Sequence, residues 1–193
     1  MWQNLAGVGL PVSSAAGPHC VTKLHASCFA HTQRGASFAA AHLLIRTFAF
    51  TGPDVFEPTI STQVFGPDRA AMAQLTADLY AASAPAADVK PGAAITVSGT
   101  TIVGYRVNAH LDAAPGLLNE ATEVAVLLRT ADDPDAAPFQ EFTVDVVWHN
   151  GDWQLFAPPW GDWQNVVRPL TSPDPADYQT YAETRERSCM PCA

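Results

Sequence analysis

The chain has 193 residues and a mass of 20.5 kDa, enough for one domain with irregular ends. Hydrophobic residues make up 48% and charged residues only 15%, against roughly 25% charged in an average soluble domain, which excludes a disordered acidic segment as the main body. The net charge is -9 and the basic residues are scattered singly from Lys23 to Arg187, so no basic stripe is offered to nucleic acid.

The chain opens on Met1-Trp2-Gln3-Asn4, without the basic stretch of a secretory signal, which leaves the compartment open between the cytoplasm and a segment separated from its own targeting part. Residues 1–32, with Gly7, Gly9, Pro11, Gly17 and Pro18 and no sustained period, read as an extended arm laid over a domain or free in solvent. Thr32 is an N-cap, and Gly35 to Phe50 is apolar on nearly all sides until Thr51-Gly52-Pro53 stops it, which predicts a buried helix. That stretch is too short to span a bilayer and carries His42 and Arg46. Asp54 to Thr62, interrupted by Pro58, is expected to give a turn or two. Pro67-Asp68 opens a second helix that presents Met72, Leu75 and Leu79 until Pro85.

From Ile95 the period changes to two. Ile95, Val97, Thr101, Val103, Tyr105, Val107, Ala109 and Leu111 point one way, and Arg106, Asn108, His110 and Asp112 the other. Glu123–Thr130 and the run Phe142, Val144, Val146, Trp148 repeat the pattern, and Asn150-Gly151 is a hairpin turn into Trp153–Ala157, which Pro158-Pro159 ends. The tail after 160 is irregular, with a short helix expected between Pro175 and Arg187. Helices followed by a curved antiparallel sheet make this an α+β chain, divided as a 1–32 arm, a 33–160 domain and a 161–193 tail, with the sheet wrapped around the buried helix. By element order the best fit is the cone of the nuclear transport factor 2-like and cystatin-like folds.

Several stretches carry a resemblance: Leu10-Pro11-Val12-Ser13 with Gly17-Pro18, Phe29-Ala30-His31-Thr32 followed by Gly35-Ala36 and Ala39-Ala40, Glu57-Pro58-Thr59-Ile60, and Trp148 with Gly151-Asp152-Trp153-Gln154-Leu155. Together they resemble an uncharacterised actinobacterial family associated with conjugative elements and similar to type IV secretion components with a nuclear transport factor 2-like cone. The resemblance implies a protein-interaction role near a membrane, outside the cytoplasm, with no catalytic residues to carry over. Family members usually have an N-terminal membrane helix, which has no counterpart in this sequence.

Chemistry is sparse. There is no phosphate loop, nucleophile elbow or zinc helix, and Asp132-Asp133-Pro134-Asp135 lacks the glycine and distal Glu of a calcium loop, so no cofactor is expected. The polar sheet face offers Arg106, Asn108, His110, Arg129, Asp145 and His149. Asp145 and His149 are four residues apart on one strand, roughly 13 Å, so an acid/base pair must form across strands, with His110 and Asp145 beside Arg106 as the catalytic alternative. His42 and Arg46 share a helix face and could bind an anion or simply pair with an acid such as Asp78. Trp160 and Trp163, beyond the double proline, are candidates for a protein interface, including self-association. Cys20 and Cys28 with Cys189 and Cys192, joined by His19, His25 and His31, form a weak alternative zinc set against a reading as incidental thiols. Two functions follow: a non-enzymatic assembly module, or an acid/base enzyme or small-molecule binder resembling polyketide cyclases and dehydratases.

Overall fold

The computed structural model describes residues 1–22, 24–111, 120–130 and 137–182. Its centre is helix α1 (Gln33–Arg46), which begins where the Thr32 hydroxyl accepts a hydrogen bond from the Gly35 backbone N–H at 3.0 Å. Every residue from Gly35 to Arg46 is buried, which is why this helix is apolar nearly all round. A 3-10 turn at Ala49–Thr51 and Gly52, at φ 83°, redirect the chain into α2 (Pro53–Gln63). This is a full helix where a turn or two was expected. Pro53 stands at its start, where no N–H is missed, and burial of Val55, Phe56 and Ile60 offsets the roughly 3 kcal/mol that an interior proline such as Pro58 costs. Helix α3 (Arg69–Ser83) packs on α2, where Tyr80 meets Phe56 with ring centres 6.0 Å apart, and it buries Met72, Thr76 and Tyr80 rather than the expected leucines, Leu79 being 52% exposed.

The large sheet contains β6 (Thr101–Leu111), β7 (Ala121–Arg129), β8 (Phe139–His149) and β9 (Asp152–Phe156) as an antiparallel run. The short β5 (Val64–Phe65) adds parallel to β9, and β10 (Val167–Leu170), which the sequence pattern did not announce, pairs with the first half of β8 while β9 pairs with the second. The result is an open mixed sheet with β5 and β6 at its ends, so the α+β class stands and the sheet does not close into a barrel. Val124, Val126, Phe142, Val144, Val146, Trp153 and Leu155 pack with α1 in one core. Asn150 and Gly151, at φ 52° and 83°, make the hairpin turn as expected.

The described residues of both flanking segments contribute to that core. Within residues 1–32, β1 (Trp2–Leu5) and β2 (Val8–Pro11) form a hairpin whose Val8 and Leu10 are wholly buried, and β3 (Cys20–Val21) pairs with β4 (Ala26–Ser27). After β10 the chain crosses to the opposite edge, where Tyr105 and Gln179 exchange backbone hydrogen bonds at 2.9 and 2.7 Å, and Tyr181 buries itself against Phe38 and Tyr105. The strap passes Gly104 so closely that a Cβ there would lie 2.8 Å from the Gln179 carbonyl oxygen. The helix expected from Pro175 to Arg187 is a 3-10 turn at Pro175–Asp177, and the rest of that expectation lies outside the described residues.

Candidate functional site

The alternation expected along β6 breaks twice. Pairing places Ile102 against Leu128 and Gly104 against Leu127, then Val107 against Val124 and Ala109 against Glu123, so Val103 and Asn108 are extra residues in β-bulges. Ile102 therefore turns inward while Val103 is 40% exposed, the reverse of the sequence pattern. The second bulge decides the chemistry. Beyond it His110 stands opposite Thr122, on the side of the sheet facing α1, and its Nδ1 lies 2.7 Å from the Thr122 hydroxyl. Asp145 stands opposite Glu123, on the outer side. Cross-strand partners share a face, so His110 and Asp145 are on opposite sides of the sheet and the expected acid/base pair does not form.

Arg106 stays on the outer side but serves another partner. Glu141, only 5% exposed, accepts from Arg106 Nη2 at 3.2 Å, from Arg168 Nη2 at 2.6 Å and from the Tyr178 hydroxyl. Arg106 Nε donates to Asn108 Oδ1 at 2.8 Å, Asn108 donates to Glu123 at 3.0 Å, and the guanidinium lies 5.4 Å from the Tyr178 ring centre. Burial, followed by the hydrogen bond to Glu141, raises the Tyr178 pKa to about 12. These groups fasten the C-terminal strap over the sheet, and Arg106 is part of that fastening. Sequence reasoning missed Glu141 because its partners come from β6, β10 and the tail, and no spacing announces them.

At the helix-side end of the sheet, Glu120 lies 2.6 Å from His31 Nε2 and 3.4 Å from His110 Nε2. His31 stacks on Trp148 with ring centres 3.9 Å apart. Beside it the Asp152 carboxylate accepts from the backbone N–H groups of Cys28 at 2.6 Å and Phe29 at 3.0 Å, tying the N-terminal segment to the β8–β9 hairpin. Cys20 and Cys28 are joined in a disulfide with Cα atoms 5.4 Å apart. That bond consumes both thiols and replaces the zinc and incidental-thiol readings of this pair. Cys189 and Cys192 lie outside the described residues. His25 bonds with Thr62 at 3.2 Å, and among the described residues no three His, Cys, Asp or Glu side chains are placed to hold a metal ion.

His42 and Arg46 are fully buried, not open to an anion. His42 Nε2–H donates to the Pro11 carbonyl at 2.8 Å, and burial lowers its pKa to about 3, so the ring is neutral. Burial also lowers the Arg46 pKa, to about 10, which leaves it a cation inside the core. The two tryptophans divide. Trp163 is 8% exposed and packs near Phe48 and Phe142, a core position, whereas Trp160 is 79% exposed at φ 59°. The next residue, Gly161, lies where a Cβ would collide with the Met72 backbone, so this turn is pressed onto α3 and holds the Trp160 indole outward.

The surface has shallow clefts: about 270 Å³ between α2 and α3, about 390 Å³ where Arg34 meets Tyr105 and the strap, about 250 Å³ between α3 and Trp163, and about 160 Å³ beside Asp145. Neither His110 nor Arg106 lines any of these four. No described helix is long and apolar enough to cross a membrane. A family model described as "Domain of unknown function (DUF8175)" matches residues 1–180, so the chain belongs to that family. No curated protein and no solved structure matches it.

Proposed function

We propose that this member of the family is a non-enzymatic assembly module that associates with a second copy of itself through the surface around Trp160. The carrying observation is that indole, 79% exposed on a backbone at φ 59°. A bulky residue there costs on the order of 1 kcal/mol or more, and an exposed tryptophan adds a solubility liability. A partner that covers the ring offsets both, and tryptophan is the residue type most enriched at binding hot spots. The neighbouring groove, lined by Leu75, Leu79 and the next residue of the turn, Gly161, gives the indole of a second copy a place to enter. The fold proposed is a cone like that of nuclear transport factor 2-like proteins, and the setting proposed is an actinobacterial conjugation or type IV secretion-like apparatus. The buried α1 against the open sheet supports the first, and the sequence resemblance the second.

The disulfide favours an oxidising compartment outside the cytoplasm, since such bonds are reduced inside most cells. The acid/base alternative loses its support, because His110 lies on the opposite side of the sheet from Asp145 and Arg106 is engaged by Glu141. Sedimentation velocity across micromolar concentrations tests the proposal: the wild-type chain shows a dimer, and Trp160→Ala sediments as a monomer with an unchanged circular dichroism spectrum. A wild-type chain that is monomeric throughout that range refutes it.

A further inference from the structure

The Cys20–Cys28 disulfide lies at the surface: both residues are exposed, at the end of the β3–β4 ladder away from its turn. Exposed disulfides are open to an attacking thiolate and belong to the labile, regulatory kind. The residues that follow Cys28 dock on the β8–β9 hairpin one after another. The Cys28 and Phe29 N–H groups hold Asp152, the Ala30 carbonyl accepts from Trp153 Nε1 at 2.9 Å, and His31 stacks on Trp148. Cys28 opens this run at φ 64°, a conformation that side chains other than glycine rarely adopt, so the position has to be constrained. The disulfide constrains it through the side chain and Asp152 through the backbone. The chain also carries the kind of group that opens such a bond, since Cys189-Met190-Pro191-Cys192 has the C-x-x-C spacing of a redox dithiol. Ala182, the last residue described, accepts from Arg34 Nη2 at 3.2 Å in the first turn of α1, where Gly35 packs directly on the Ala30 carbonyl. Cys28 is separated from Arg34 by roughly 22 Å of extended chain at most, and Cys189 from Ala182 by roughly 25 Å, so the tail has the length to reach.

We propose that Cys20–Cys28 is a redox latch, opened by exchange with a C-x-x-C dithiol, and that opening it releases residues 28–31 from the β8–β9 hairpin. One thiolate of the dithiol bonds to a latch sulfur, the latch S–S bond breaks, and the other latch sulfur leaves as a thiolate that takes up a proton. The second sulfur of the dithiol, having lost its proton, then displaces the first latch sulfur, which is protonated in turn. The dithiol is oxidised to a disulfide and the latch is reduced to two thiols, so two electrons and two protons pass between them. The dithiol comes either from this chain's own tail or from a separate oxidoreductase. Trp160 takes no part in the exchange, so this proposal and self-association stand or fall independently.

The test uses the full chain with Cys192→Ser, which keeps Cys189 as attacker and removes the sulfur that would resolve the mixed disulfide. The protein is moved from about pH 5 to about pH 8 to form the thiolate, then quenched in acid. After alkylation of free thiols, trypsin cuts after Lys23 and Arg187, which places Cys20, Cys28 and Cys189 on separate peptides for mass mapping. A Cys189 peptide joined to that of Cys20 or Cys28, formed at a rate independent of chain concentration, assigns the dithiol to the tail. In Cys189→Ser with Cys192→Ser, the reduced peptide Ser-Cys-Met-Pro-Cys-Ala at about 1 mM opens the latch at least as fast as it reduces oxidised glutathione. That reaction without internal capture assigns the dithiol to a separate oxidoreductase. In the opened chain the Phe29 amide exchanges with deuterium faster, its gain exceeding that of the Val126 amide at the centre of the sheet roughly tenfold. A latch that neither captures Cys189 nor reacts with the peptide as fast as oxidised glutathione does, or a Phe29 amide that gains no more than Val126, overturns the proposal.

Discussion

The neutral imidazole of His42 ties pH to stability at one residue. Its native pKa is about 3 against an ordinary 6.5, so below pH 6.5 the unfolded chain takes up a proton that the folded chain refuses. Stability is therefore full above that value and falls continuously down to about pH 3, by an amount on the order of several kcal/mol. His42→Gln keeps a donor for the Pro11 carbonyl and cannot ionise, so urea unfolding at a series of pH values should show a flatter slope below 6.5 than the wild type. Equal slopes would mean that the ring is protonated in the folded core. Asp145 acts in the opposite sense: its raised pKa gives stability at low pH that is lost as pH rises through the native value, so the His42 contribution is best read as the difference between variant and wild type. Sequence spacing placed His42 and Arg46 on one helix face correctly, but spacing does not reveal whether water reaches that face. Here β2 covers it, and the hydrogen bond to Pro11 spans 31 residues.

Among the elements, alternation was a sound guide where strands are regular and failed where they are not. β8 and the hairpin into β9 follow their pattern, whereas a bulge adds one residue and reverses every face after it, which moved His110 away from Asp145. Asn108 carries no mark of this, since a polar residue suits an outer position and a bulge equally well. β10 escaped notice because Val167–Leu170 contains Pro169 and is only four residues long, too short for a period. The disulfided β3–β4 loop is likewise invisible to periodicity, yet it can be tested. Closing a loop over a sequence separation of 8 restricts the unfolded chain by about 2–3 kcal/mol. In a Cys189→Ser, Cys192→Ser background, Cys20→Ser with Cys28→Ser should lower the unfolding free energy by about that amount, and dithiothreitol should reproduce the loss in the parent but not in the variant. Circular dichroism during guanidinium unfolding measures both. No difference between oxidised and reduced protein would remove the disulfide as a structural element, and with it the argument for an oxidising compartment.

For the molecule as a whole, local pattern supplied the α+β class and the buried helix but not the closure of the ends. Tyr181 meets Phe38 across 143 positions and Trp153 Nε1 donates to Ala30 across 123, contacts that no periodicity encodes. What composition does encode is charge, and charge bears on self-association. Two copies at net charge -9 repel each other over distances that salt shortens to about 8 Å at physiological ionic strength. An interface centred on Trp160 and the Leu75–Leu79 groove is held by apolar burial, which added salt does not weaken. Salt therefore removes the opposing term and leaves the favourable one, so the dimer dissociation constant should fall several-fold between about 0.05 and 0.5 M sodium chloride. Sedimentation equilibrium at the two concentrations measures it. A constant that rises with salt would show that ion pairs hold the copies together, and it would move the interface from Trp160 to the charged outer face of the sheet.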